Sequence, residues 1–247
     1  MEHEILEGMI SLDAALKSGR RKIHRILIEK KRSERRLTET SYIKKRAQAK
    51  GIPISFVSSE EINGHVAGTT HGGILALVGP RNYQSVQSFI ESGAKFVAII
   101  EGIEDPYNFG FAVRSLYAAG CDALILPPRS WMSASGIVTK SSAGATEYIA
   151  TAACDVVEAA QTLKDSGYRI IAADIPNSVS VYSEQANLSY PLVLVIGGEK
   201  RGINRALLAM ADEVVRIDYG RQFKGALPAV SAASVLAFEI MRRNMGE

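Results

Sequence analysis

Three stretches of the sequence bring together side chains that could do chemistry. Glu104-Asp105-Pro106-Tyr107-Asn108-Phe109-Gly110 runs into a candidate helix that carries Arg114. Asn108 stands where a helix N-cap belongs, and Arg114 would project from the second turn. A capping Asn and an Arg paired with a nearby carboxylate are the plainer account of the same letters. The second stretch, Leu194-Val195-Ile196-Gly197-Gly198-Glu199-Lys200-Arg201-Gly202-Ile203-Asn204, ends an apolar strand in glycines. Small residues at a strand's carboxyl end let a ligand approach the backbone, where open α/β sheets bind ligands. Glu199, set between glycines and two cations, is an odd choice for a simple turn, although a glycine-rich turn with solvated charges also fits. The third stretch, Gly225-Ala226-Leu227-Pro228-Ala229-Val230-Ser231-Ala232-Ala233-Ser234, is a small-residue entry into the last helix, suited to tight packing or to a dimer interface.

Other chemistries lack their residues. All four histidines (His3, His24, His65, His71) precede residue 80, so the larger C-terminal part has none for a Ser-His-Asp triad. Cys121 and Cys154 stand apart and without nearby His, which argues against a zinc site; no metal is expected. Neither a G-x-x-x-x-G-K-[ST] phosphate loop nor a G-x-G-x-x-G after a strand occurs.

The elements that must position these residues follow from periodicity. Residues 11–17 read as a short helix, 22–28 as a strand and 34–50 as a helix with Leu37, Ile43 and Ala47 on its buried side. Strands are expected over 54–57 and 74–78. Gly79-Pro80-Arg81-Asn82 is a turn cluster and the boundary candidate. Beyond it come longer β/α units: strands over 96–100, 123–126, 168–173, 192–196 and 214–217, and helices over 109–119 and 230–241. Continuous apolar strands of this kind are covered by helices on both faces, so an open, mostly parallel α/β domain is expected.

Composition bounds the setting. The chain has 247 residues, 47% of them hydrophobic, and a net charge of +3. The first fifty residues carry a net +7 and the remainder −4, an asymmetry that suggests a polyanionic partner for the N-terminal lobe. Two cysteines make no disulfide framework, the start is charged rather than signal-like, and no apolar run reaches the ~18 residues of a membrane span. A cytoplasmic protein without membrane contact is expected.

The three stretches, in this order and at this distance from the C-terminus, resemble motifs 1, 2 and 3 of the SpoU/TrmH group of SPOUT methyltransferases. The N-terminal part resembles that group's substrate-binding domain, an RNA-binding fold similar to ribosomal protein L30e. Ser11-Leu12-Asp13-Ala14-Ala15-Leu16 and Arg21-Lys22-Ile23 match its opening, and His71-Gly72-Gly73-Ile74-Leu75-Ala76 its closing strand. The resemblance implies an S-adenosylmethionine-dependent methyltransferase acting on a ribose 2′-hydroxyl of rRNA or tRNA. It also implies a homodimer, with a trefoil knot in the parallel α/β domain. The implied layout is a small α/β RNA-binding domain over 1–79, a linker over 80–94 and the knotted methyltransferase domain over 95–247.

Carried over residue by residue, Asn108 matches the motif 1 Asn, Arg114 the motif 1 Arg treated as catalytic, and Glu199 the motif 2 Glu. Gly197 and its neighbour Gly198, with Ile217 and Leu227, match the cofactor's cradle. Lys140-Ser141-Ser142-Ala143-Gly144-Ala145 resembles the small-residue segment between motifs 1 and 2. Motif 3 departs: Pro228 stands where the family has an Asn, removing both a side-chain amide and a backbone N–H, and Ser231 is the candidate substitute. A catalytically impaired RNA-binding protein on the same scaffold is the alternative that Pro228 motivates. A guanidinium holds its proton too tightly to make a good general base, so the preferred role for Arg114 is to anchor a phosphate and stabilise the developing alkoxide. Arg20, Arg21, Lys22, Arg25, Arg32 and Arg35 are the candidate phosphate contacts of the basic lobe. Trp131 would either stack on a base or pack its own loop.

Overall fold

The computed structural model describes residues 3–66, 70–198 and 200–246. The chain begins with β1 (Glu4–Glu7), α1 (Gly8–Ser18), β2 (Ile23–Glu29), α2 (Lys30–Arg35) and α3 (Leu37–Ala49). β3 (Ile54–Val57), α4 (Ser59–His65), β4 (Ile74–Val78), α5 (Val86–Glu91) and β5 (Phe96–Ile100) follow. Next come α6 (Pro106–Ala118), β6 (Ala123–Leu126), α7 (Ser135–Ser141), α8 (Ala145–Tyr148), β7 (Ala150–Ala153) and α9 (Val156–Asp165). β8 (Arg169–Ala173), β9 (Val179–Ser180), β10 (Leu192–Ile196), α10 (Arg205–Met210), β11 (Glu213–Arg216) and α11 (Ala229–Arg243) complete it.

Two compact units result. The first holds residues 1–82 and 132–148; the second holds 83–131 and 149–247. Residues 132–148, which the sequence reading put in the 95–247 domain, thus group with the N-terminal residues. In the first unit a four-stranded sheet runs β1-β4-β2-β3, antiparallel except for the β2/β3 pair. Its core is Leu6, Leu12, Leu16, Ile26, Ile28, Ile43, Ile74 and Val78. The single helix expected over 34–50 is two helices, broken at Arg36, whose φ is −117° and ψ 57°. Of the expected side, Ile43 and Ala47 are buried, but Leu37 is 68% exposed and Thr40 is buried in its place.

The segment 132–148 is tied into this unit by close packing and by buried charge. Gly144 has φ +86°, and a Cβ there would lie 2.6 Å from the Ala14 Cβ of α1. That contact explains the small residues of this stretch. Glu147, fully buried, accepts from Arg81 Nη2 at 2.6 Å and the Thr139 hydroxyl at 3.1 Å, and its other carboxylate oxygen is ion-paired with Arg21 Nε at 3.2 Å without a hydrogen bond. Arg21 also reaches Glu4 at 2.7 Å, and the Ser135 hydroxyl donates to the same carboxylate. Two arginines and two glutamates balance one another there. An unpaired charge is costly to bury, and here each buried charge has an opposite partner.

In the second unit seven parallel strands run β7-β6-β5-β10-β8-β11-β9. From β5 the chain steps out to β6 and β7 on one side, while β8 to β11 fill the other. The reversal therefore lies between β5 and β10, the place where open α/β sheets leave a ligand crevice. Every residue of β5, β6 and β10 is buried, as the apolar runs require. Phe89 of α5, Ala160 and Leu163 of α9 and Leu207 of α10 cover one face. α11 packs against α6, with the Ser234 hydroxyl donating to that of Ser115 at 2.7 Å.

Candidate active site

The motif 1 helix starts earlier than its sequence suggested. Pro106 occupies its first turn, where the missing N–H costs nothing, and Asp105 is the N-cap: its carboxylate accepts the Asn108 N–H at 2.8 Å. Asn108 is therefore not the cap but a half-buried residue inside the first turn. Arg114 accordingly lies in the third turn of α6, exposed, with no ion pair or hydrogen bond to another described residue.

Beside the β10 end lies a cavity of about 570 Å³. Its walls come from the carboxyl ends of β8, β10 and β11 and from the start of α11. Gly197, Gly198, Ile217 and Leu227 all line it, joined by Ile196 and Leu236. Backbone lies on backbone at its floor. A Cβ on Gly198 would meet the Gly102 carbonyl oxygen at 2.3 Å, and one on Gly197 the Gly202 carbonyl carbon at 2.4 Å. Gly198 and Gly202 exchange two backbone hydrogen bonds, of 3.2 and 2.9 Å, closing the turn after β10. Glu101, just past β5, accepts the Asn204 N–H at 3.1 Å and so pins the start of α10 to the neighbouring strand.

The loop from 217 to 228 forms another wall. The Tyr219 hydroxyl accepts the Leu227 N–H at 3.0 Å, bracing this loop across its width. Asp218 is held below the usual carboxylate range, first by the Ser180 hydroxyl and then by Arg216, whose Nε donates to it at 2.9 Å. Asp174 and Ile175, directly after β8, also line the cavity. Sequence reasoning missed them and the 219–224 segment. The rule that ligands sit beyond strand carboxyl ends would have found the first pair, since the preceding strand was legible.

Arg114, Asn108 and Ser231 do not line this cavity. Ser231 lies in the first turn of α11, half-buried, with its N–H donating to the Pro228 carbonyl at 2.9 Å. Glu199 lies outside the described residues. Trp131 donates its indole N–H to the Ile103 carbonyl at 2.8 Å, which fixes its loop to the segment after β5.

Two comparisons join this geometry. Residues 95–238, more than half of the chain, match the SpoU rRNA Methylase family, and residues 5–84 match the RNA 2′-O ribose methyltransferase substrate binding family. The chain belongs to the SpoU rRNA methylase family. It shares 29% identity over 98% of its length, and 97% of the relative's, with a Staphylococcus saprophyticus protein assigned to the TrmH family of tRNA/rRNA methyltransferases. Its fold is similar to that of an AdoMet-bound rRNA methyltransferase from Sinorhizobium meliloti, with a TM-score of 0.83 and 19% identity over 99% of this chain and 88% of that one. It is also similar to the SpoU methyltransferase AviRb of Streptomyces viridochromogenes in complex with AdoMet, with a TM-score of 0.80 and 16% identity over 99% of this chain and 92% of that one.

Within this SpoU fold the six candidate phosphate contacts divide. Lys22, Arg25 and Arg35 are exposed and Arg20 is half-buried. Arg32 is mostly covered and pairs with Glu39 at 2.5 Å. Arg21 is a correction: its side chain is fully buried between Glu4 and Glu147, so it cannot reach a phosphate. Burial pushes the Cys121 thiol far above its usual range and raises that of Cys154, which leaves both poor nucleophiles. Among the described residues no cluster of three or more His, Cys, Asp or Glu is placed to hold a metal, and no helix is long and apolar enough to cross a membrane.

Proposed function

We propose that this SpoU family chain methylates a ribose 2′-hydroxyl of rRNA or tRNA with S-adenosylmethionine as donor, through the cavity beside β10. The observation that carries the reading is the glycine floor of that cavity, where two adjoining strand-end turns leave no room for a Cβ. Its volume falls in the range of small-molecule sites, about 300–1,000 Å³. Gly197 and Gly198 would present backbone groups to the donor, and Ile196, Ile217, Leu227 and Leu236 an apolar wall for its adenosine. When bound, the donor supplies an electrophilic methyl group on a sulfonium centre.

The chain's own residues do the rest. Arg114, not engaged by another described side chain, anchors the phosphate next to the target ribose and stabilises negative charge growing on the 2′-oxygen. Asn108, earlier on the same α6 helix, orients the ribose, and Glu199 and Ser231 complete the polar set. The exposed cations Lys22, Arg25 and Arg35 of the first unit gather the RNA. The protein works in the cytoplasm as a homodimer, its C-terminal domain knotted. Supporting the dimer, the α6 helix of Arg114 leaves Tyr107 and Phe111 exposed, and α11 leaves Phe238 exposed. The non-catalytic alternative rests on Pro228, which caps α11 with no side-chain hydrogen bond where the family's Asn would stand.

Calorimetric titration with S-adenosylmethionine, with NADH as control, tests the reading. Donor binding without NADH binding is expected, followed by 2′-O-methylnucleosides in digests of treated rRNA or tRNA. Failure to bind the donor, with and without RNA, would sink it. Gly198→Ala is expected to weaken donor affinity at least about tenfold, because the new Cβ must push the turns after β5 and β10 apart. Unchanged affinity in that variant would remove the glycine floor from the site.

A further inference from the structure

We propose that Phe223 is a stacking platform for a base of the substrate RNA next to the methylated ribose, flanked by Arg221 and Lys224 as phosphate contacts. The inference rests on the reading of the adjoining cavity as the methyl-donor site. Phe223 is 63% exposed, yet its ring lines the mouth of that cavity. The loop is built to hold it there. Its ring centroid lies 6.0 Å from that of Tyr219 at an interplanar angle of 57°, a tilted contact within the range of aromatic pairs. Tyr219 is itself fixed through its hydroxyl to the Leu227 N–H, so the ring's support and the cavity wall are one structure.

Gly225 gives a second indication. A Cβ there would sit 2.6 Å from Phe223 Cζ and 2.8 Å from Cε1, so the ring rests in space that only a glycine leaves open. Arg221 and Lys224 are both exposed and form no ion pair with another described residue. An aromatic face flanked by free cations and continuous with a reaction cavity matches single-stranded nucleic acid, whose bases stack while its phosphates are neutralised. A second protein chain would find an apolar spot of one ring and two unmatched cations. A flipped or unpaired nucleotide finds both of its needs met.

The test uses the full-length protein and a fluorescently labelled, mixed-sequence single-stranded RNA of about 12 nucleotides, read by anisotropy, beside calorimetry with S-adenosylmethionine. Phe223→Ala is expected to weaken RNA binding about 10–100-fold, a loss well beyond any change in donor affinity. Phe223→Leu should match Ala, since it keeps apolar bulk but loses the ring face. Phe223→Trp should restore binding, and its new emission should be quenched by RNA beyond the change seen for Trp131 alone. Gly225→Ala, which displaces the ring without removing it, should reproduce much of the loss. Replacing Arg221 and Lys224 together by Gln should flatten the log–log salt dependence by about 1.4. RNA binding unchanged in Phe223→Ala would overturn the proposal. So would a parallel loss of donor affinity, which would make the ring a cover for the donor. Absence of donor binding in the unaltered protein would instead sink the parent reading, with the RNA arm still deciding the role of Phe223.

Discussion

Arg114→Ala should lower methyl transfer at least about 10²–10³-fold while donor affinity stays within about twofold. That loss is the scale seen when one preorganised donor to a developing oxyanion is removed. The side chain is exposed and carries no ion pair among the described residues, so its loss leaves no buried partner behind. The helix that holds it is secured elsewhere, by the Asp105 cap, by Pro106 and by the Ser115–Ser234 hydrogen bond to α11. A fall in turnover with an unchanged melting temperature would therefore report on chemistry. Arg114→Lys keeps the charge but not the planar fork, and should recover part of the activity. More than a tenth of normal turnover in the alanine variant would end the case for this residue.

Glu147→Gln is the change expected to cost most stability. It leaves Arg21 and Arg81 buried with one carboxylate, Glu4, in place of two. Removing one partner of a buried ionic cluster costs about 3–5 kcal/mol, which at this chain length lowers Tm by about 6–20 °C. Replacing Arg81 and Glu147 together by Leu leaves the matched pair Arg21–Glu4 and should be milder than the sum of Arg81→Leu and Glu147→Leu made singly. Thermal denaturation of the four proteins reads the cycle. A Glu147→Gln protein melting within about 2 °C of the unaltered one would mean that the cluster is hydrated and contributes little.

The sheet of the second unit was legible because its strands are unbroken apolar runs, and buried parallel strands can be little else. The glycines at 197, 198 and 202 were legible for a related reason: a strand end that discards its side chains marks close backbone approach. Other features depended on partners far away in sequence. Nothing near Arg21 distinguishes it from Arg20 or Lys22, because the carboxylate that buries it is Glu147, and a basic run read locally looks like a solvated face. Asn108 is itself a good cap residue, which draws the expected start of α6 past the observed one. Proline at the first helical position, preceded by Asp, was the stronger signal. Residues 132–148 fall in the 95–247 domain that the family resemblance implies, whereas the Ala14–Gly144 approach packs them with the N-terminal residues.

That last feature bears on how the protein is made. A ribosome delivers the first 82 residues with Arg21 and Arg81 already committed to a core that lacks its central carboxylate. Glu147 leaves the synthesis site roughly 65 residues later, about 3–13 s at ordinary elongation rates. The N-terminal lobe is thus made before the segment that completes it. Until then its two arginines are best kept hydrated, and nascent RNA-binding surface and unfinished core coexist on the same emerging chain.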